Sequence, residues 1–173
     1  MSLRSLISEI SLTRLFADRP VTAQAITDIL EDAVWAPNHK LREPWRFIHA
    51  EGAAKTKLSS LLAAGLHHDL AAALDNAPAS LIVTVHTSTD EHVASDDLAA
   101  VFCLVRNIQL LGGSQGLGVY PGTGDWSRCR GLNEFADVST RERIAAILAV
   151  GYPAEQASPP TPFVTIKPTI ECW

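Results

Sequence analysis

The run Gly112-Gly113-Ser114-Gln115-Gly116-Leu117-Gly118-Val119-Tyr120-Pro121-Gly122-Thr123-Gly124 is the densest in glycine anywhere in the chain. Glycine lets backbone amides come close to a planar or anionic ligand, so Tyr120 to Gly124 is a candidate binding loop. Gly116-Leu117-Gly118 is not a dinucleotide fingerprint. That loop follows a strand and opens a helix, whereas these glycines follow a helical pattern and Pro121 stands where the third glycine is due. No Gly-Lys-Ser/Thr follows, which excludes a P-loop. Gly112 and Gly113 are expected as a helix C-cap and turn.

The second candidate is "AVWAPNHKLREPWRFI", residues 33 to 48. Pro37 must stop a helix there, because proline biases the residue before it away from helical backbone. Beyond the stop, His39 lies in a loop beside Asn38, Lys40 and Arg42, while Pro44-Trp45 leads into Phe47 and Ile48 as an aromatic anchor for a strand. The remaining histidines form no metal site by spacing: His67-His68-Asp69 is read as a solvated helix face, and His49 and His86 as strand residues. No G-x-S-x-G is present, and no paired carboxylates stand out. Cys103, Cys129 and Cys172 make no C-x-x-C pair, which speaks against a disulfide framework and against zinc. Cys103 is expected in the core. Cys129, between Arg128 and Arg130, is the thiol whose pKa neighbouring cations would lower, although no histidine lies near it in sequence to activate it.

These segments must be held by a small set of elements. Helices are expected over residues ~3 to 12, from the N-cap Thr22 to Val34, from about Ala54 to Leu74, and from Asp96 to about Leu111. The last is apolar nearly all round, as suits a helix buried centrally or in a subunit interface. Strands are expected at Arg46 to Ala50, at Ser80 to His86 and, with helix as the rival, at Ile144 to Tyr152. Short strands between longer helices predict one α+β domain over residues 1–173. The tail after Tyr152 carries Pro153, Pro159, Pro160, Pro162 and Pro168, so it is read as extended, and its Phe163, Ile166 and Trp173 favour packing, for example across a dimer.

Bulk composition bounds the function. With 14 Lys+Arg against 19 Asp+Glu, the net charge of -5 argues against nucleic acid or an anionic membrane as a partner. No apolar run approaches the ~20 residues of a membrane span, and the N-terminus is too polar for a signal peptide, so a cytoplasmic location is expected. At 173 residues and 47% hydrophobic, the chain can bury a complete core.

In order along the chain, "TRLFADRPVT", "AVWAPNHKLREPWRFI", "NAPASLIVTV", "GLGVYPGTG", "LAVGYPAE" and "PPTPFVTI" resemble the nitroreductase family of flavoproteins, in particular its small single-domain bacterial members. The resemblance implies a mostly antiparallel sheet flanked by helices, with a long central helix and a C-terminal tail exchanged in a homodimer. It implies FMN at the dimer interface and ping-pong electron transfer from NADH or NADPH to a nitroaromatic, quinone or similar acceptor. It places Ser11, Thr13 and Arg14 at the phosphate and ribityl chain. Trp35, Asn38 and His39 come at the ring- and phosphate-side loop, contributed across the dimer, and Pro121, Gly122 and Thr123 in the loop that completes the pocket. The chain departs from the family pattern in two places. Ile10-Ser11-Leu12-Thr13-Arg14 stands for Arg-Arg-Ser-x-Arg, and Pro121-Gly122-Thr123-Gly124 for W-R-T-G. Each lost charge-assisted phosphate bond is worth roughly 1.5–3 kcal/mol, so a relative with weakened flavin binding, acting on another small ligand or partner, is the alternative. Arg42, Arg128, Arg130 or Lys167 are the cations that could compensate.

Overall fold

Thr22 opens the first long helix by accepting a hydrogen bond at Oγ1 from the Ala25 amide, at 3.1 Å. The structure, a computed structural model, describes residues 2, 5–7, 13–154 and 171. Of the helix expected near the N-terminus, residues 5–7 are helical and most of the rest lies outside the described residues. Helix α1 (Ala23–Ala33) buries Ile26, Ile29 and Ala33, and gives way to a short 3-10 turn at His39–Leu41. Then come β1 (Trp45–Ala50), α2 (Gly52–Ala64), α3 (His68–Asn76), β2 (Ala79–His86), α4 (Glu91–Ser114), β3 (Gly118–Gly122), α5 (Leu132–Phe135) and β4 (Glu142–Gly151).

The strands form one four-stranded sheet in the order β1-β2-β4-β3, with every pairing antiparallel. The sheet is covered on both faces, so the central strands β2 and β4 are apolar on both sides. Leu81, Val83 and Val85 of β2 join Ile26, Ile29, Leu104 and Ile108 on the α1/α4 face. Ile82 joins Leu58, Leu62, Leu70 and Leu74 on the α2/α3 face. A register shift between Val83 and Thr84 lets Ala145 and Ala146 of β4 fall in the same cluster before alternation resumes. The α+β reading and the β2 and β4 strands agree with the sequence expectation, and Trp45 and Phe47 pack on the core as the aromatic anchor predicts.

Five expectations are corrected. The helix expected from Ala54 to Leu74 is two helices, separated at Gly65 to His67, because Leu66 adopts a left-handed φ of 70°. The long helix begins at Glu91, since Asp90 caps it by accepting at Oδ1 from the His92 and Val93 amides. It also runs through Gly112 and Gly113 to Ser114, and the left-handed residue that ends it is Gly116, at φ 78°. Tyr120 to Gly122, read as loop, is the end of edge strand β3. Cys103 is exposed rather than buried, on the same open stripe of α4 as Phe102. The tail from residue 155 onward lies outside the described residues apart from Glu171, so the exchanged-tail expectation stays an expectation.

Candidate functional site

Thr13 delivers Arg14 to its place. The Thr13 side chain is buried against Gly118 so closely that a Cβ on that glycine would stand 2.2 Å from Thr13 Oγ1. Further along, Ala17 donates its amide to Tyr152 O at 2.8 Å, and Ala154 donates to Leu15 O at 3.1 Å. Residues 13 to 17 are thereby laid along the chain leaving β4. With Thr13 turned inward, Arg14 points out, its guanidinium 5.4 Å from the Tyr120 ring centroid and 3.6 Å from the Asp69 carboxylate.

Between these groups lies a cavity of about 460 Å³. One wall is the end of β3, Tyr120 to Thr123, with Trp126 beyond it; the other is Leu66 to Leu70. Gly122 packs closely on the other wall: a Cβ there would meet Leu70 Cδ2 at 2.3 Å and force that side chain to shift. The break between α2 and α3 builds the second wall. Gly65 has no room for a side chain, because a Cβ would lie 2.2 Å from Cys129 Sγ. The His67 amide donates to Leu62 O at 2.9 Å, its ring lies 4.7 Å from that of Trp126, and its Nε2 is 3.1 Å from Asp125 O. Pinned on both sides, the turn holds Leu66 in a conformation that costs an ordinary residue on the order of 1 kcal/mol or more, and such strain gathers at ligand clamps.

The electrostatics are mixed. The Ser127 amide and hydroxyl both donate to Asp125, which holds that carboxyl below its usual range. Among the described residues no lysine or arginine lines the cavity; Arg14 reaches it only past Asp69 and Tyr120. Arg42, one of the cations expected to compensate, does not line this cavity and is paired with Asp97. Cys129 is corrected as well. Burial, with Asp125 nearby, raises its pKa rather than lowering it, and the thiol serves as packing against Gly65.

Of the residues expected at a site, the fold brings Thr13, Arg14, Pro121, Gly122 and Thr123 together. Ser11 lies outside the described residues. Trp35, Asn38 and His39 are elsewhere. Trp35 is 86% exposed at the end of α1, next to Ala33, whose carbonyl accepts from Asn107 of α4 at 3.2 Å. This group sits on the α1/α4 face beside edge strand β1, whereas the cavity opens on the opposite face beside edge strand β3. The cavity walls Leu66, His67, Asp69 and Trp126 were not legible as site residues, because the leucine periodicity runs straight through the break. Gly65 was the one available signal.

The cavity suits a planar ligand: it has an apolar floor in Leu70, aromatic sides in Tyr120 and Trp126, the Thr123 hydroxyl, and a glycine-thinned strand end. Comparison with known proteins points the same way. Residues 12–152 match the family model described as the nitroreductase family. YfhC of Bacillus subtilis, named as a candidate NAD(P)H nitroreductase, is 32% identical over 165 residues, covering 88% of this chain and 85% of its own. A nitroreductase-like family protein from Bacillus cereus superposes with a TM-score of 0.81 at 27% identity, covering 99% of this chain and 97% of that one. The FMN and NADPH-dependent nitroreductase NfnB of Sphigopyxis shares the fold at a TM-score of 0.79 and 17% identity, over 99% and 100% of the two chains.

Proposed function

The chain belongs to the nitroreductase family and is an oxidoreductase, and on that premise we propose that it is an FMN-dependent enzyme. In this reading it carries electrons from NADH or NADPH to a nitroaromatic, quinone or similar acceptor by a ping-pong cycle. The observation that carries it is that Pro121 to Thr123 line one cavity of about 460 Å³, a size that suits a cofactor ring system, with Arg14 at its rim against Asp69 and Tyr120.

When bound, FMN supplies the two-electron store that takes hydride from a nicotinamide and passes it on. The chain's own residues hold and orient it. Arg14, aimed outward by the buried Thr13, meets the phosphate end and exchanges Asp69 for the phosphate. Gly122 and Thr123 offer backbone and hydroxyl to the ring edge, and Leu66 and Trp126 keep water from the cavity. Trp35, Asn38 and His39 come from a second copy of the chain, which also covers the open Phe102 and Cys103 stripe of α4. A homodimer is therefore the working unit.

One observation favours a second reading. No lysine or arginine lines the cavity among the described residues, and Arg14 already faces an acid. That pattern suits a nitroreductase-like protein holding flavin weakly, or a less charged ligand in its place. Purified protein titrated with FMN decides between them. The first reading predicts visible flavin absorbance in the retained fraction, quenching on titration, and turnover of NADH or NADPH with a quinone. Arg14→Ala should then weaken FMN roughly ten- to hundredfold, the value of one charge-assisted phosphate bond. Absence of any flavin binding would sink the first reading and leave the second.

A further inference from the structure

We propose that Arg42 and Asp97 form a latch that positions residues 38 to 44, and through them Asn38 and His39, for the cofactor; this rests on the reading that their loop faces flavin. The loop is strained. Lys40, Leu41 and Glu43 hold positive φ values of 55°, 52° and 45°, although none is glycine. Such conformations persist only where the surroundings enforce them. Burial does not enforce this one, because Leu41 is 82% exposed.

The enforcement is polar. Arg42 Nε and Nη2 donate to the two carboxylate oxygens of Asp97, each at 2.8 Å. Asp97 sits on α4 and is 1% exposed. Asn38 closes the other end: its Oδ1 accepts from the Glu43 amide at 3.0 Å, and its Nδ2 donates to Ala36 O at 3.3 Å. A planar fork on a carboxylate fixes direction as well as distance, which a lysine would not. A buried carboxylate stripped of its partner is costly, so α4 holds the arginine as firmly as the arginine holds the loop. Stability alone is served better by glycine at the left-handed positions and an apolar pair in place of the ions. The chain keeps strain and a buried charge together at the segment that displays Trp35, Asn38 and His39. That combination marks pre-organisation of a binding surface.

Arg42 could act on flavin in two ways, and they separate cleanly. A direct phosphate ligand would be missed by FMN and not by riboflavin, which has no phosphate. A latch residue would be missed by both, and buried Asp97, out of reach of any ligand, would give the same loss. The full-length variants Arg42→Lys and Asp97→Asn are titrated with FMN and with riboflavin, and the flavin-free proteins are digested with trypsin, following cleavage after Lys40. Both variants should lose about tenfold or more in affinity for each flavin and be cut about tenfold faster, while still melting cooperatively. Arg42→Lys, at a partly exposed position, keeps the test open if Asp97→Asn does not fold. Wild-type affinity and digestion in the variants would overturn the latch, and loss toward FMN alone would make Arg42 a phosphate ligand instead. Wild type that binds neither flavin would overturn the functional reading and the cofactor claim with it. Faster digestion of the variants would then still distinguish that failure from the absence of a latch.

Discussion

At the scale of single residues, the cavity depends on side chains that are missing. Gly118 admits Thr13, and Gly122 admits Leu70, at distances no Cβ tolerates. A methyl at 118 meets Thr13 at Oγ1, Cβ and Cγ2 together, so rotation of one side chain does not relieve it. Gly118→Ala should therefore cost about 1–3 kcal/mol in urea unfolding, and it should weaken FMN as well, because Thr13 is what aims Arg14. Adding Thr13→Gly should restore much of the stability and none of the flavin affinity. If the single variant unfolds like wild type, the packing described for this junction is wrong. The sequence showed that glycines cluster here but not what they admit. Thr13 and Gly118 are more than a hundred residues apart, and only the fold sets them in contact.

At the scale of elements, what was legible followed periodicity and caps, and what was not followed strain. Thr22 announced α1 and Asp90 could have announced α4, since both place a side-chain oxygen on the first free amides. The α2/α3 break had no such sign, because Leu58, Leu62, Leu70 and Leu74 keep helical spacing across a turn whose geometry is fixed by Cys129, His67 and Trp126. The sheet itself carries a testable electrostatic device. Arg46 of β1 reaches across β2 to Glu142 of β4, donating from Nε at 2.8 Å and Nη2 at 2.9 Å, with Thr84 adding a third bond. Chiefly through the Arg46 bonds, the carboxyl is lowered from 4.5 to about 2. A depressed carboxyl stabilises the fold fully above its unfolded value and loses that contribution as pH falls toward the folded one. Arg46 is partly open to water, so screening limits the effect to about 1–2 kcal/mol. Glu142→Gln should lower stability at neutral pH by that order and flatten the pH dependence between about 4.5 and 2. Chemical denaturation at a series of pH values reads it; parallel curves for variant and wild type would count against the bridge.

At the scale of the whole molecule, the two groups of expected site residues face away from each other. Arg14 and Pro121 to Thr123 border the α2/α3 face at the β3 edge, while Trp35, Asn38 and His39 border the α1/α4 face at the β1 edge. A ligand bound to one chain would have to pass around the sheet to meet both. In the proposed homodimer, a two-fold axis would remove the obstacle by setting the α1/α4-face group of one copy against the cavity of the other. Such a site can be complemented. Arg14→Ala disables one half and a paired Asn38→Ala, His39→Ala variant disables the other, so each protein alone should bind FMN poorly. Mixed under mild denaturant and refolded together, half of the dimers should be heterodimers, each with one intact and one doubly defective site. Flavin binding should therefore return to about a quarter of the wild-type stoichiometry. Both halves in one chain would give no recovery, however long the exchange, because every chain would still carry a defect of its own. Size measurement alone does not make this distinction, since a dimer whose sites are self-contained has the same mass. Recovery on mixing requires that the loop before β1 and the end of β3 meet between chains, which is the arrangement proposed for the homodimer.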